Sequence, residues 1–347
     1  MKILFFRESE QKELNPDVID EGFGATENTL IYSAEYLSRI DNYEVKVCCP
    51  CSKRKYYNKV EYIPHTNYKN FISEMDKFQP AFIVVLGNPK IISYCDLDNF
   101  IFWQHNHPLE MKSWDIPKIL NKVKRIVFPS YSSCEYARSY YKNEEKIVGI
   151  YNGIRQQFLQ ERNIERKENK ILYVGSFVWN KGLLELLKIS HLLSDYEIEI
   201  CGDFDMYGKQ FVDQKFKNTC LELIKKNNII FNGKLSTEEL AKKLRETTIC
   251  VVNPWVGNLE TCCLSGLEAM ASGAPVVVGG KSLIGSIMEN GGVVCKEQDQ
   301  LAETIINLMK DKNKRDKLSK SGHQWARHLT WDYLATRWND LFRRIYV

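Results

Sequence analysis

Long apolar runs are missing from this sequence of 347 residues, and none approaches the roughly 20 residues that cross a bilayer. The apolar part of the opening MKILFFRESE is too short for a secretory signal, so a cytoplasmic chain is expected. A dominant charge is missing too. Forty-eight Lys and Arg against 44 Asp and Glu leave a formal +4, too little to argue for a nucleic-acid partner. Lys53-Arg54-Lys55 and the group Lys118, Lys122, Lys124 and Arg125 read first as solvated faces. Attraction to an anionic membrane surface, and a place at its inner face, is the alternative. No repeat or low-complexity tract interrupts the chain. There is no G-x-G-x-x-G and no Walker lysine. The 11 cysteines are odd in number and scattered, as expected of reduced thiols packed as small hydrophobes. Cys48-Cys49-Pro50-Cys51 lacks a second Cys/His pair at finger spacing, so no metal is expected.

What is present reads as a soluble globular chain, 44% hydrophobic and 27% charged, and long enough for two domains. Strand-like runs at Lys2–Phe6, Val45–Cys49, Phe82–Leu86, Phe100–Trp103 and Arg125–Phe128 alternate with helical stretches, which predicts a doubly wound, largely parallel sheet. Asn67 and Pro129-Ser130 are helix starts. Residues Glu21–Glu27 form a glycine-bearing loop, with Gly22 and Gly24, between the first strand and a helix. Glycine lets backbone approach a ligand closely, and a helix start attracts phosphate. Gln104-His105-Asn106-His107-Pro108 follows a strand end, where ligands meet open α/β sheets.

After Tyr151-Asn152-Gly153-Ile154 and a charged linker, Gln156 to Lys170, the pattern restarts. Ile171–Val174 is a strand, followed by Gly175-Ser176-Phe177-Val178-Trp179-Asn180-Lys181-Gly182 and a leucine-rich helix. Lys181 sits at that turn, where an ammonium would stabilise a departing diphosphate. Tyr196–Cys201 leads into Gly202-Asp203, and Ile229–Phe231 into Asn232-Gly233-Lys234-Leu235. Ser236 and Glu239 read as a capping box. Gly279-Gly280 and Gly291-Gly292 read as turns. The end, Ser321 to Phe342, reads as helical and rich in aromatics.

Asn258–Val278, NLETCCLSGLEAMASGAPVVV, carries most of the functional information. Ile249–Val252 is a buried strand ended by Asn253-Pro254. Thr261–Ala271 reads as a helix, Gly273 and Pro275 stop it, and Val276–Val278 starts the next strand. Glu260 lies at the helix mouth and Glu268 inside it. Eight helical residues would separate their backbones by roughly 12 Å and rotate them by about 80°. A glycosidase acid/base pair needs about 5–9.5 Å across one bond, so the spacing suits two contacts along one extended ligand instead. The amides near Cys262, Cys263 and Leu264 lie between them as an anion site.

Glu260, seven residues, Glu268 and the tail Ala-Met-Ala-Ser-Gly-Ala-Pro-Val-Val resemble the E-x7-E signature of GT-B retaining glycosyltransferases, in particular the GT4-like family, glycosyl transferases group 1. The resemblance spans nearly the whole chain. It is specific in Gly175–Val278 and looser before residue 150. It implies two Rossmann-like doubly wound parallel-sheet domains facing a central cleft: residues 1–152 on the acceptor side, 153–328 on the nucleotide-sugar side, and 329–347 as a helix crossing back to the first. Tyr151-Asn152-Gly153-Ile154 resembles the turn at which the family's chain changes domain.

By the same resemblance Glu260 contacts the sugar, Glu268 the ribose, and His105, with His107 as fallback, the sugar or acceptor. Lys181, Ser176, Gly22, Gly24 and the amides of Cys262, Cys263 and Leu264 surround the phosphates, and Asp203, Lys234 and Leu235 flank the base. The family's usual arginine position is Ser176 here, so a second cation is missing or comes from elsewhere. The implied activity is retaining transfer from a nucleotide-sugar to a saccharide, glycolipid or protein acceptor, without metal or cofactor. A nucleotide-sugar-binding protein without transferase activity, or an epimerase of the same fold, is the competing expectation. Oligomeric state has no signature in the sequence.

Overall fold

The computed structural model describes residues 1–8, 13–21, 25–109, 116–141, 144–160, 166–280 and 283–346. The chain divides into two compact units: Met1–Ile19, Phe23–Gly153 and Trp331–Val347 form one, and the other is built on Ile154–Thr330. Each is an α/β unit around a mainly parallel sheet.

The first unit contains β1 (Lys2–Arg7), β2 (Glu44–Cys49), β3 (Lys55–Tyr57), β4 (Val60–Pro64), β5 (Phe82–Leu86), β6 (Phe100–Trp103), β7 (Val123–Phe128) and β8 (Ile147–Gly149). Their order is β3-β4-β2-β1-β5-β6-β7-β8, and only β3, against β4, is antiparallel. β1, β5 and β6 are apolar nearly throughout because both sheet faces are covered, which is why they read as continuous runs rather than alternation. One face packs on the helix Ala25–Leu37 and on Leu334, Trp338 and Phe342 of the terminal helix Trp331–Tyr346. Trp103 and Trp338 meet edge-to-face at 4.9 Å, which places the aromatic C-terminal stripe in this unit's core. That stripe is not one continuous helix with the preceding segment: Lys312–Ala326 and Trp331–Tyr346 are separate.

Asn67 and Ser130 cap their helices as the sequence indicates, accepting from Asn70 N at 2.9 Å and Ser133 N at 3.2 Å. The strands β3 and β4 carry no clear alternation and were not legible as strands.

The second unit contains β9 (Lys170–Val174), β10 (Glu197–Cys201), β11 (Ile230–Phe231), β12 (Ile249–Val252), β13 (Val276–Gly279) and β14 (Gly292–Cys295), all parallel, in the order β11-β10-β9-β12-β13-β14. This order reverses between β9 and β12, so the loops after those two strands border the crevice where such sheets take ligands. Gly279 and Gly292, expected in turns, instead lie within β13 and β14. The capping box at Ser236 and Glu239 is present.

Candidate functional site

The loop after β9 is a short turn, Trp179–Lys181, followed by Gly182. Gly182 has φ +75°, and a Cβ there would lie 2.4 Å from the backbone nitrogen of Trp255. Only glycine lets the β9 and β12 loops approach so closely. Tyr173, buried in β9, donates its hydroxyl to the Lys181 carbonyl at 3.1 Å and fixes the turn from below.

The loop after β12 is shaped by Asn258, which is 2% exposed. Its Nδ2 donates to the carbonyls of Asn253 (3.2 Å), Trp255 (2.6 Å) and Gly279 (3.3 Å), and its Oδ1 accepts from the Glu260 amide at 3.2 Å. One side chain thereby ties the loop to the end of β13, adding to the backbone donors Gly279 N on the Asn253 carbonyl (3.1 Å) and Asn258 N on the Trp255 carbonyl (3.2 Å). The Glu260 carboxylate accepts from Asn253 Nδ2 at 3.0 Å and from the Thr261 amide at 3.3 Å, and it forms a salt bridge with Lys181.

Lys181 and Glu260 keep 22% and 19% of their side-chain surface exposed. Burial pushes Glu260 up, but the Lys181 charge outweighs it and holds the carboxyl below the usual carboxylate range. Burial likewise pulls Lys181 down, and Glu260 outweighs it, so the ammonium lies above its ordinary value. Both groups are charged at neutral pH, at a place where solvent still reaches them.

The helix expected from Thr261 starts three residues later, as Leu264–Ala271. Cys263 adopts the left-handed conformation and offers no side-chain cap, so Glu260 lies in the loop and not at the helix mouth. The uniform helical spacing between Glu260 and Glu268 therefore does not apply. The helix's first amides still lack intrahelical acceptors, and Cys262, Cys263 and Leu264 beside them are buried. An anion seated at those amides would compete with Glu260 for Lys181, leaving Glu260 able to accept from hydroxyls.

Glu268 is 3% exposed and ion-paired to Arg155, Nε to Oε1 at 2.9 Å. Arg155 also donates from Nη1 to Thr237 Oγ1 at 2.6 Å. Burial raises the Glu268 carboxyl above its ordinary value despite the guanidinium. Around the neighbouring strands, Asp203 accepts from the Phe177 amide through its carbonyl at 2.9 Å and from the Phe204 amide through Oδ1 at 2.6 Å. The Gly233 carbonyl accepts from Gly202 N at 2.9 Å, joining the loops after β10 and β11. Lys234 pairs with Asp205 at 2.7 Å, and Leu235 is half-buried.

Residues 154–325 match the family model "Glycosyl transferases group 1". The second unit carries the domain of that family. The chain is 28% identical over 187 residues to the O-antigen chain mannosyltransferase RfbU of Salmonella typhimurium, a match covering 52% of this chain; the chain spans 49% of the length of that relative. Among solved structures it is similar in fold to the sucrose-phosphate synthase of Thermosynechococcus elongatus, with a TM-score of 0.80, 17% identity and 99% of each chain covered. It is also similar to HepE of Anabaena, solved with UDP and glucose, with a TM-score of 0.73, 14% identity and 99% of each chain covered.

Within this unit the loops after β9 and β12 bring Lys181 and Glu260 together, and Ser176 lies in the same loop as Lys181, its carbonyl accepting from Val178 N at 3.0 Å. Glu268 meets neither of them; its partner is Arg155. His105 and His107 belong to the first unit, just after β6, and their surroundings differ. His107 is 5% exposed, accepts from the Leu109 amide through Nδ1 at 3.2 Å and packs against Tyr136. Burial lowers its pKa, so it stays neutral as a loop-fixing group. His105 is only partly buried and stands edge-on to Trp103 at 5.1 Å. Gly22 and Gly24 lie outside the described residues.

Three residues that hold Glu260, Glu268 and the loop after β12 escaped the sequence reading: Arg155, Asn253 and Asn258. Arg155 follows the Asn152-Gly153-Ile154 turn directly, and the two asparagines flank the Pro254 loop. Arg155 binds a carboxylate 113 residues away, and the two asparagines bind mainly backbone and a carboxylate within their own irregular loop, which has no periodic signature in sequence. Among the described residues no metal-holding cluster occurs and no helix is long and apolar enough to cross a membrane.

Proposed function

We propose that this protein is a retaining glycosyltransferase, moving a hexosyl group from a nucleoside-diphosphate sugar to a hydroxyl of a saccharide, lipid-linked saccharide or protein. The observation that carries the reading is the Lys181–Glu260 ion pair beside uncapped helix amides at the reversal point of the second sheet. A diphosphate and a sugar have opposite needs, cations and amides for one, hydroxyl acceptors for the other. This loop offers both within one reach.

In the proposed reaction the bond from the anomeric carbon to the β-phosphate oxygen breaks and its electron pair stays with the diphosphate. Lys181 and the amides near Cys262, Cys263 and Leu264 stabilise that charge in place of a metal ion. The acceptor oxygen bonds to the anomeric carbon on the same face, and its proton passes to the leaving phosphate. Glu260 orients the sugar, Glu268 the ribose, and Asp203, Lys234 and Leu235 border the base, with Ser176 and the Gly22/Gly24 loop near the phosphates. His105 is assigned to the sugar or acceptor. The similarity to an O-antigen chain mannosyltransferase supports a role in polysaccharide biosynthesis. It also makes a mannosyl donor one arm of the test.

The test is a panel of UDP-, GDP- and TDP-sugars, GDP-mannose included, incubated with the protein and read by mass spectrometry. Slow donor hydrolysis, abolished by Lys181→Ala, is the expected result. Silence across the whole panel, acceptors included, favours a nucleotide-sugar binder without transferase activity, a reading to which Ser176 lends support because it removes a cation from the phosphate turn.

A further inference from the structure

The first unit has its own crevice. Its sheet order reverses between β1 and β5, and the parallel strands β1, β4 and β5 end on one side, where such sheets take ligands. Glu8 follows β1, His65 follows β4, and Asn88 lies just past β5. Tyr68 opens the helix Tyr68–Phe78 and Tyr94 closes the short helix Lys90–Tyr94.

These side chains form a polar cradle on an aromatic row. Tyr68 donates its hydroxyl to Glu8 Oε2 at 2.9 Å, and Asn88 Nδ2 donates to the same oxygen at 3.1 Å. Glu8 Oε1 accepts nothing among the described residues. The rings of Phe6, His65, Tyr68 and Tyr94 follow one another at 4.9, 5.8 and 5.0 Å, from the core to a tyrosine that is 59% exposed. His65 Nδ1 is buried and has no hydrogen-bond partner among the described residues. Lys90 holds its ammonium 5.9 Å from the Tyr68 ring centre, so the ring open to a ligand is that of Tyr94.

We propose that this cluster is a subsite for a neutral hexose ring, the sugar that receives the transferred glycosyl group; its role as acceptor site rests on the transferase reading above. The negative face of an aromatic ring attracts the C–H face of a pyranose. A carboxylate oxygen with open lone pairs beside an amide suits the hydroxyls of one ring edge, since both groups can serve a diol. The same carboxylate disfavours a phosphate or an acidic peptide. Glu8, Asn88 and Tyr68 are locked by their mutual bonds before any ligand arrives, which lowers the cost of binding.

The experiment is saturation-transfer NMR of the full chain with a panel of methyl hexosides and methyl N-acetylhexosaminides, with no nucleotide present. At least one glycoside is expected to receive saturation, strongest at the protons of one ring face. Tyr94→Ala and Glu8→Gln are each expected to weaken its binding about tenfold, in line with losing a contact to a charged or stacking group. Tyr94→Trp should retain it. Tyr94 is exposed, so its truncation does not threaten the core. Wild-type binding in both weakening variants, or no saturation of any glycoside by the unaltered protein, overturns the subsite. Because no donor is present, absent donor hydrolysis alongside the expected glycoside binding counts against the transferase reading alone.

Discussion

Lys181 and Glu260 lie 79 residues apart in the chain and share an ion pair, because Gly182 lets the loop after β9 touch the loop after β12. The bond is more than a static contact. It holds in one place the cation a diphosphate needs and the carboxylate a sugar needs, and each sets the other's charge.

Removing either side should therefore affect turnover first. Lys181→Ala and Glu260→Gln are each expected to lower kcat for transfer by about 10²–10³, the usual cost of deleting one charge-stabilising group. A near-wild-type kcat in either variant would remove the assigned roles. The pair also predicts a pH effect. Glu260 titrates below its unfolded value, so its contribution to stability is present above the ordinary carboxylate range and is lost as pH falls through the lowered folded value. Urea midpoints measured from neutral to acid pH should decline less steeply for Glu260→Gln than for the wild type.

Arg155 is the charge that makes a buried Glu268 tolerable. Breaking a buried pair from one side costs about 3–5 kcal/mol, so Arg155→Gln should lose stability on that scale at neutral pH. Glu268 already titrates above its ordinary value because burial outweighs Arg155. With the folded value raised, the protein is favoured in acid and penalised as pH rises through that value. Loss of Arg155 raises it further, so the deficit of Arg155→Gln should shrink towards acid pH. A deficit independent of pH, in chemical denaturation at several pH values, would show that the pair is not what Arg155 maintains.

Gly182→Ala tests the close approach of the two loops. Its φ of +75° strains any other residue, and its Cβ would meet the Trp255 amide. A loss of at least about 1–3 kcal/mol is expected from the backbone alone. Gly233, with φ +68° and nothing within 4 Å of its Cβ position, is the control. Gly233→Ala should carry only the backbone part, and the difference in thermal midpoint between the two reports the clash.

The two histidines after β6 should respond differently. His107→Ala leaves the Leu109 amide without its acceptor and is expected to cost about 1–3 kcal/mol. His105→Ala should change stability less and lower transfer about tenfold or more. Thermal melts and donor-acceptor turnover on both variants check this; the reverse pattern would exchange their roles.

Much of the fold was legible because buried parallel strands are continuous apolar runs and helix starts have a local chemistry. β5 and β6 match the sequence expectation end for end, and Asn67, Ser130 and Ser236 cap where expected. The helix carrying Glu268 began later than expected because Cys263 takes a left-handed conformation, a choice made by the loop around Asn258 and invisible to helix propensity. Gly279 and Gly292 were misplaced into turns because strand neighbours, not their own preferences, hold them extended. Arg155 gave no warning, since its partner is 113 residues away.

By itself the sequence determined the alternation of strand and helix, the two-unit plan and the chemistry of the Glu260–Glu268 stretch, all of which depend on neighbours within a few residues. Only the tertiary structure decided which charges pair: Lys181 with Glu260, Arg155 with Glu268, Tyr68 and Asn88 with Glu8. Those choices follow from strand order, which sets loops from distant parts of the chain side by side, and strand order leaves no local mark.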